Sequence, residues 1–254
     1  MHSAIYPSLA GKRVLVTGGG TGIGASFVEA FVRQQAQVWF VDIAENESRE
    51  LVDRLGATTH TPPQFRHCDL TDIGAVSTTI QDIVAQAGTL DVLVNNAAND
   101  DRHRVEDITP AYWDQRMAVN LRHLLFCSQA VLPAMKAAGG GAIINLGSIS
   151  WHLALPELVL YETAKAAIEG MTRGLARDLG SHGIRVNCVV PGGVRTPRQT
   201  RLWHNPEEEG RMLAQQCLKQ RVDPQDVAAM VLFLASDDAR MCTGHNYFVD
   251  AGWR

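Results

Sequence analysis

Short apolar runs alternate with longer amphipathic segments along the whole chain. A short apolar run between turn-forming residues predicts a buried strand, and apolar positions at helical spacing predict a helix packed on one face. On this pattern the predicted strands are residues 14–16, 38–41, 64–68, 91–94, 142–146, 184–190 and 247–249. The predicted helices are residues 24–35, 45–55, 72–87, 109–132, 161–180 and 224–235.

This alternation predicts an α/β fold. Strands followed by helices of a dozen or so residues build a doubly wound parallel sheet, here of about seven strands with helices on both faces. No linker is long enough to divide the chain, so residues 1–254 are predicted to form a single domain. Ligands bind such sheets at the carboxyl ends of the strands.

Two segments fit the alternation less simply. The helix that starts at Thr109 and Pro110 meets Pro133, which is expected to kink or end it. The segment 191–212 is rich in Pro, Arg, His and Glu and is predicted to be an irregular, variable substrate loop.

Composition indicates an ordinary globular protein. Of the 254 residues, 46% are hydrophobic and 20% charged, and the formal net charge is -4. The sequence has no long run of like charges that would indicate a nucleic acid or a membrane surface as a partner. Residues 1–7 lack the features of a signal peptide, and no apolar stretch approaches the ~18 residues of a membrane span. A soluble, cytoplasmic protein is expected.

The cysteines argue against a disulfide framework and against zinc. They are odd in number and scattered, and no two are spaced as Cys-x-x-Cys. Although many alcohol-oxidising enzymes use zinc, no metal is predicted here. The five are Cys68, Cys127, Cys188, Cys217 and Cys242.

A glycine-rich segment, residues 17–24, joins the first strand to its helix. Glycines at this point let backbone amides approach a pyrophosphate, whose charge suits a helix N-terminus. Asp42 ends the second strand, eighteen residues after Gly24, where an acid can hydrogen-bond a ribose 2′-hydroxyl. Residues 43–45 supply no cation for a 2′-phosphate. The predicted cofactor is therefore NAD rather than NADP.

Tyr161 and Lys165 lie one turn apart on a predicted helix and therefore share a face. A nearby positive charge is expected to lower the pKa of a phenol from its usual value of about 10, which would make it a usable acid or base. Such a pair also occurs by chance in many helices. Ser148 ends the fifth strand, where it is either a site residue or a turn hydroxyl.

Asn120 is a poor helix former placed among apolar neighbours inside a helix. Because an unsatisfied buried amide is costly, its side chain should have a specific partner. Either a functional site or a structural hydrogen bond to a neighbouring strand would supply one.

Several further motifs resemble those of the short-chain dehydrogenase/reductase family over almost the whole chain. The glycine spacing of residues 18–24 is that family's, and residues 95–98 are similar to its Asn-Asn-Ala-Gly motif, with alanine at the last position. Residues 68–70 and 191–196 resemble its adenine and nicotinamide segments. Residues 249–252 stand where Val-Asp-Gly-Gly is usual.

The resemblance implies a Rossmann-type fold, and it implies a functional role for each residue that matches a motif. It implies a catalytic tetrad of Asn120, Ser148, Tyr161 and Lys165. The implied cofactor-binding residues are Gly18, Thr21, Gly22, Ile23, Gly24, Asp42, Ile43, Asp69, Leu70, Asn95, Ala97, Tyr161, Lys165, Pro191, Val194 and Thr196. It also implies a homo-oligomer, either a tetramer or a dimer.

The same resemblance implies hydride transfer between a substrate alcohol and the nicotinamide. Tyr161 would exchange the hydroxyl proton, and Lys165 would lower the pKa of that tyrosine and hold the nicotinamide ribose. Ser148 would orient the substrate oxygen. Asn120 would keep a water that links Lys165 to solvent.

Polar segments after strands four and five, residues 99–103 and 150–153, suggest a polyhydroxylated substrate. The predicted substrate-binding residues are Asn99, Ser148, Trp151, His152 and Tyr161. In the alternative reading, Trp151 packs as core, and the charged residues 100–104 form a solvated loop.

These segments and the last five residues resemble bacterial NAD-dependent sugar dehydrogenases of the family. That implies oxidation of the C1 hydroxyl of an aldose, with D-xylose expected, to the lactone. Another aldose, a deoxy-keto sugar acid or another secondary alcohol are the alternatives. A non-catalytic NAD-binding regulator is a further alternative, and it predicts a damaged tetrad.

Overall fold

The computed structural model describes residues 4–203 and 205–253 and contains one parallel sheet. Residues 1–3, for which the sequence predicts no signal peptide, lie outside the described residues, as do His204 of the predicted loop and Arg254. The strands are β1 (Arg13–Thr17), β2 (Gln37–Asp42), β3 (Gln64–His67), β4 (Val92–Asn95), β5 (Gly141–Leu146), β6 (Ile184–Pro191) and β7 (Asn246–Val249). Their order is β3-β2-β1-β4-β5-β6-β7, which confirms the predicted seven-stranded, doubly wound sheet.

The helices cover both faces of this sheet. They are α1 (Gly22–Arg33), α2 (Glu45–Gly56), α3 (Ile73–Ala87), α4 (Pro110–Met117), α5 (His123–Ala137), α6 (Ser150–Leu153), α7 (Val159–Leu179), α8 (Pro197–Trp203), α9 (Pro206–Gln215) and α10 (Pro224–Ala235). Within the described chain, no helix combines the length and apolar character that crossing a membrane would require.

The alternation of side chains along β1 shows how the two faces are filled. Val14 and Val16 are fully buried in a core shared with α1 and α10, whereas Leu15 points to a second core shared with α3 and α5. Successive residues of a strand face opposite sides, so an uninterrupted apolar run is what a sheet covered on both faces requires. Strands β1 to β3 extend the sheet in one direction and β4 to β7 extend it in the other, so the strand order reverses between the parallel neighbours β1 and β4, where Thr17 pairs with Asn95. A crevice forms at this switch point.

The helix predicted for residues 109–132 is correct in its start and wrong in its continuity and end. The Thr109 hydroxyl caps α4 by accepting from the Tyr112 amide. A π-helical turn, Ala118–Arg122, then separates α4 from α5. Pro133 lies inside α5, which continues to Ala137. The fully buried Met135 packs against Gly141 and holds this last turn in place.

The segment predicted to be irregular contains two short helices, α8 and α9. The side chain of Asn205 caps α9 by accepting from the Glu208 amide at 2.9 Å. Pro206 and the glutamates of the first turn suit a helix N-terminus. The sequence contains these capping residues, but the many prolines and charged residues of the segment favoured the prediction of an irregular loop over that of a helix.

Candidate active site

A cleft of about 1540 Å³ runs along the carboxyl edge of the sheet. Six strands end at it, so loops that are far apart in the sequence converge there. Each contributes at least one lining residue, and these include Gly18, Asp42, Asp69, Ala97, Ser148 and Pro191. The structure therefore brings the predicted cofactor and catalytic ends of the chain into one site.

The glycine loop is held tightly against β4. Asn96 Nδ2 donates to the carbonyl oxygens of Thr17 (3.0 Å) and Gly18 (2.9 Å). A Cβ on Gly24 would lie only 1.8 Å from the Gly18 oxygen, so no other residue fits at that position. Gly22 has a φ of 56°, a left-handed conformation that favours glycine. The loop thus presents a bare backbone at the start of α1, which fits a pyrophosphate.

Asp42 has a structural contact with this loop as well as a place in the cleft. Its carboxylate accepts from the Gly20 amide at 2.8 Å and from the Ala44 amide at 2.9 Å. A carboxylate has about four acceptor positions, so two remain for a ligand. Beside it, the Ile43 side chain is 67% exposed and offers an apolar surface to a planar base.

All but one of the predicted cofactor-binding residues line the cleft. The exception is Asn95, which is 1% exposed and donates to Asn145 Oδ1 in β5 (2.9 Å) and to Ser128 Oγ in α5 (3.2 Å). Its neighbour Asn96 lines the cleft and braces the glycine loop. Adjacent residues of a strand point to opposite faces, and the sequence did not show which of the two asparagines faces the ligand.

Ser148, Tyr161 and Lys165 line the end of the cleft formed by β5 and α7. Lys165 is 3% exposed, and its Nζ donates to the Leu146 carbonyl oxygen at 2.7 Å. The same Nζ lies 5.4 Å from the centroid of the Tyr161 ring. The Ser148 hydroxyl is a hydrogen-bond partner of the Tyr161 phenol. A serine, a phenol and an ammonium group are therefore placed around one point.

The pKa of Tyr161 departs from its usual value in the direction opposite to the one predicted. Burial raises it most, the negative charge of Asp100 raises it further, and the hydrogen bond from Ser148 lowers it. Burial also lowers the pKa of Lys165 to about 8, so this side chain is mostly charged at neutral pH. Burial of the Tyr161 phenol therefore has a larger effect on its pKa than the nearby ammonium of Lys165, which was expected to lower that pKa.

Asn120 lies in the π-helical turn between α4 and α5 and is fully buried. Its Oδ1 accepts from the Asn99 amide at 2.8 Å, which ties it to the loop after β4. Its Nδ2 has no protein partner. A buried amide donor without a partner leaves a position for a bound water, and π-turns often occur at functional sites.

Trp151 and His152 are turned towards Glu169 instead of the cleft. The indole Nε1 bonds to Glu169 Oε1 at 2.7 Å, and His152 Nε2 lies 2.9 Å from the same oxygen. Neither belongs to the described residues that line the cleft. Glu169 also accepts from the amide of Asn246 in β7. These two side chains therefore anchor α6 to α7 and β7, and they lie outside the described lining of the cleft in which a sugar contact was predicted for them.

The loop after β4 contributes more to the cleft than the sequence suggested. Asn99 lines it as predicted, and its side chain is held by the Asp101 amide (2.9 Å) and by Arg116 (3.1 Å). Asp100 also lines it and bonds to residues of α8. The alternative interpretation of the charged residues 100–104 as a solvated loop does not hold for Asp100, which pairs with a segment about 100 residues later. Such a pairing has no local signal in the sequence.

The five cysteines are free thiols. Cys188 is fully buried, and burial raises its pKa to about 12, so this thiol stays protonated. Within residues 4–203 and 205–253, no cluster of three histidine, cysteine or acidic side chains could hold a metal ion.

Comparison with known proteins gives consistent matches along the chain. A family model described as enoyl-(acyl carrier protein) reductase matches residues 18–254. The chain is 61% identical over 254 residues to D-xylose 1-dehydrogenase of Caulobacter vibrioides, with 100% of both proteins covered. It is 47% identical to the probable galactose dehydrogenase GalD of Rhizobium meliloti, covering 99% of this chain and 98% of that one.

A solved structure is similar in fold as well as in sequence. It is a blue fluorescent protein from a metagenomic library in complex with NADPH, with a TM-score of 0.88 and 35% identity. The match covers 97% of this chain and 99% of that one.

Proposed function

Because the chain belongs to the short-chain dehydrogenase/reductase family, we propose that it oxidises the C1 hydroxyl of an aldose, first of all D-xylose, to the lactone with NAD. The observation that carries this proposal is the 61% identity over the full length to a D-xylose 1-dehydrogenase. The convergence of Ser148, Tyr161 and Lys165 in the large cleft supports it. When bound, the oxidised nicotinamide supplies the hydride acceptor.

Tyr161 takes the proton of the C1 hydroxyl in this mechanism. Ser148 is the phenol's hydrogen-bond partner, so its hydroxyl is placed to orient the same substrate oxygen. Burial disfavours the phenolate, and the hydrogen bond of Ser148 favours it. We expect the charge of Lys165, whose Nζ lies 5.4 Å from the ring centroid, to favour it as well. Asn120 would hold, at its free Nδ2, a water through which the proton leaves towards solvent.

The pH dependence of oxidation follows from these two groups. We expect kcat/KM for the aldose to rise with pH between about 6 and 8, since the deprotonated fraction of a phenol with a raised pKa grows with pH. Above about pH 8 the rise should flatten, because Lys165 begins to lose its charge. Steady-state rates measured across this range check the prediction. Rates that were constant or fell between pH 6 and 8 would exclude Tyr161 as the proton acceptor.

The choice of NAD over NADP is part of the proposal. Asp42 ends β2 in the cleft with two acceptor positions left for a ribose diol, and its charge opposes a 2′-phosphate. The NADPH bound by the blue fluorescent protein shows that a related fold also accepts the phosphorylated cofactor. The acid at position 42 supports NAD for this chain.

We expect kcat/KM with NAD to exceed that with NADP by at least about fivefold, as a repulsion of about 1 to 4 kcal/mol at contact distance would give. Asp42→Asn should lower the ratio of kcat/KM with NAD to that with NADP, while its side-chain oxygen can still accept from the Gly20 amide of the glycine loop. Fluorescence titration and initial rates with both cofactors measure this. Equal efficiency of the wild-type enzyme with NAD and NADP would contradict it.

The substrate is tested with a panel of aldoses and sugar acids in the presence of NAD, followed by NADH absorbance. D-xylose should give the highest kcat/KM. Galactose is the second candidate, because the relative that is 47% identical is named as a probable galactose dehydrogenase. Activity confined to deoxy-keto sugar acids or to non-sugar alcohols would overturn the aldose assignment. The regulator alternative is not supported, since all four tetrad residues are present.

We further infer that the protein is cytoplasmic and forms a homo-oligomer, as its membership of the family implies. Light scattering of the purified protein measures the assembly. A mass equal to one chain would contradict that inference without affecting the proposed reaction.

A further inference from the structure

Asp100 occupies a position in the cleft that the mechanism above does not use. It follows β4, lines the cleft together with Ser148 and Tyr161, and its side chain is 23% exposed. Both carboxylate oxygens face α8 across the cleft. Gln199 Nε2 donates to Oδ2 at 2.6 Å, and Arg198 Nε donates to Oδ1 at 3.3 Å.

Asp101 provides a contrast at the next position. It shares Arg198 as a partner, with Nη2 donating to its Oδ1 at 2.6 Å, and it also pairs with Arg116 at 3.5 Å. Its side chain is 50% exposed, and it does not belong to the described residues that line the cleft. Arg198 therefore keeps a carboxylate partner whenever Asp100 is engaged elsewhere.

We propose that Asp100 is a specificity-determining residue that accepts hydrogen bonds from two neighbouring hydroxyls of the sugar. On binding, the sugar takes the place of Gln199 and Arg198 at this carboxylate. The inference rests on the proposed function, since it assigns a residue to the recognition of the same aldose.

The chemistry of the carboxylate fits this role. An ionised carboxylate only accepts hydrogen bonds, and its two oxygens can receive two donors side by side, as vicinal hydroxyls offer. Replacing the Arg198 contact of Asp100 by a sugar hydroxyl costs little free energy. Arg198 keeps its ion pair with Asp101, and a partly exposed ion pair such as that between Arg198 and Asp100 contributes little in water. A site built to bond hydroxyl groups discriminates strongly against analogues that lack them.

Asp100 is also close enough to Tyr161 and Lys165 for its charge to affect their pKa values. Its negative charge raises the pKa of Tyr161 and that of Lys165. Asp101 does not contribute to either shift. Removing the charge of Asp100 should therefore change both sugar binding and the pH dependence of the reaction, whereas removing that of Asp101 should change neither.

The test compares Asp100→Asn with Asp101→Asn as the matched control. The two variants lose the same charge from adjacent positions, and both lose an ion pair with Arg198. For Asp100→Asn we expect KM for D-xylose to rise by about tenfold or more, as loss of a charged hydrogen bond predicts, with KM for NAD within about twofold of wild type. For Asp101→Asn both constants should stay within about twofold. The rising limb of the pH profile should move to lower pH in Asp100→Asn alone.

Asp100→Glu gives an independent measurement that does not depend on the stability of the asparagine variant. It keeps the charge but moves the carboxylate by one methylene, so KM for the sugar should rise while the pH profile stays in place. Monodeoxy analogues of the sugar complete the test. At least one of them should lose about tenfold in kcat/KM with the wild type and show little further loss with Asp100→Asn.

Wild-type sugar kinetics in both Asp100 variants would overturn the inference, and so would equal losses in Asp100→Asn and Asp101→Asn. The first outcome would show that the sugar does not bond to Asp100. The second would show that the charge of the whole loop, acting through Arg198, matters instead. In either case wild-type oxidation of D-xylose would leave the proposed function intact, whereas a wild type inactive on every aldose would refute the proposed function itself.

Discussion

Replacing Tyr161 by phenylalanine is expected to lower kcat for aldose oxidation by about three orders of magnitude, with the Kd for NAD within about twofold of wild type. General acid–base catalysis contributes about a hundredfold to ten-thousandfold, and the phenol is the group placed to exchange the proton. The ring that packs near Lys165 remains in the variant, so the shape of the cofactor site is preserved. Steady-state kinetics and fluorescence titration with NAD separate the two effects.

Tyr6→Phe is the matched control, because Tyr6 packs on the core next to α1 and is not part of the described cleft lining. It loses the same hydroxyl and should keep wild-type turnover. If Tyr161→Phe retained a tenth of wild-type turnover, the assignment of Tyr161 as the proton acceptor would be wrong.

Gly24→Ala should abolish measurable binding of NAD at concentrations that saturate the wild type, a loss of at least about a hundredfold in affinity, or about 2.7 kcal/mol. The added Cβ would lie 1.8 Å from the Gly18 carbonyl oxygen and 2.7 Å from Asn96 Nδ2. Both the loop and the amide that braces it must move to accommodate the methyl group. That displacement takes the backbone amides away from the pyrophosphate.

Gly174→Ala is the control for the chemical change itself. Gly174 lies in α7, and apart from its chain neighbours and the backbone of its own helix, no atom lies within 4 Å of the position that its Cβ would take. Alanine in a helix is favoured over glycine by about 0.8 to 1 kcal/mol, so the variant should be at least as stable and should bind NAD normally. NAD affinity at the wild-type level in Gly24→Ala would contradict the role assigned to the glycine loop.

Much of the fold could be predicted because its determinants are local. The apolar run of β1 and the glycines after it fix a strand, a turn and a helix start within a dozen residues. The spacing of Tyr161 and Lys165 places them on one face of any helix. Family motifs predicted the tetrad, and the structure brings three of its four residues, Ser148, Tyr161 and Lys165, together in the cleft.

The features that were missed depend on partners remote in sequence. Trp151 and His152 were expected at the sugar because they follow Ser148, but the carboxylate that fixes them, Glu169, comes seventeen residues after His152. Asp100 bonds to Gln199, which is 99 residues later. The pKa of Tyr161 depends on how much water the folded chain removes, which spacing along a helix does not reveal.

The central claim is that the hydride passes from C1 of the sugar to NAD, and a labelled substrate tests it most directly. The enzyme is incubated with NAD and D-xylose that bears deuterium at C1, and the reduced cofactor is analysed by mass spectrometry. The account predicts that NADH carries the deuterium and that the sugar is recovered as the lactone or its hydrolysis product, xylonate. NADH formed without the label, or no NADH at all, would contradict it.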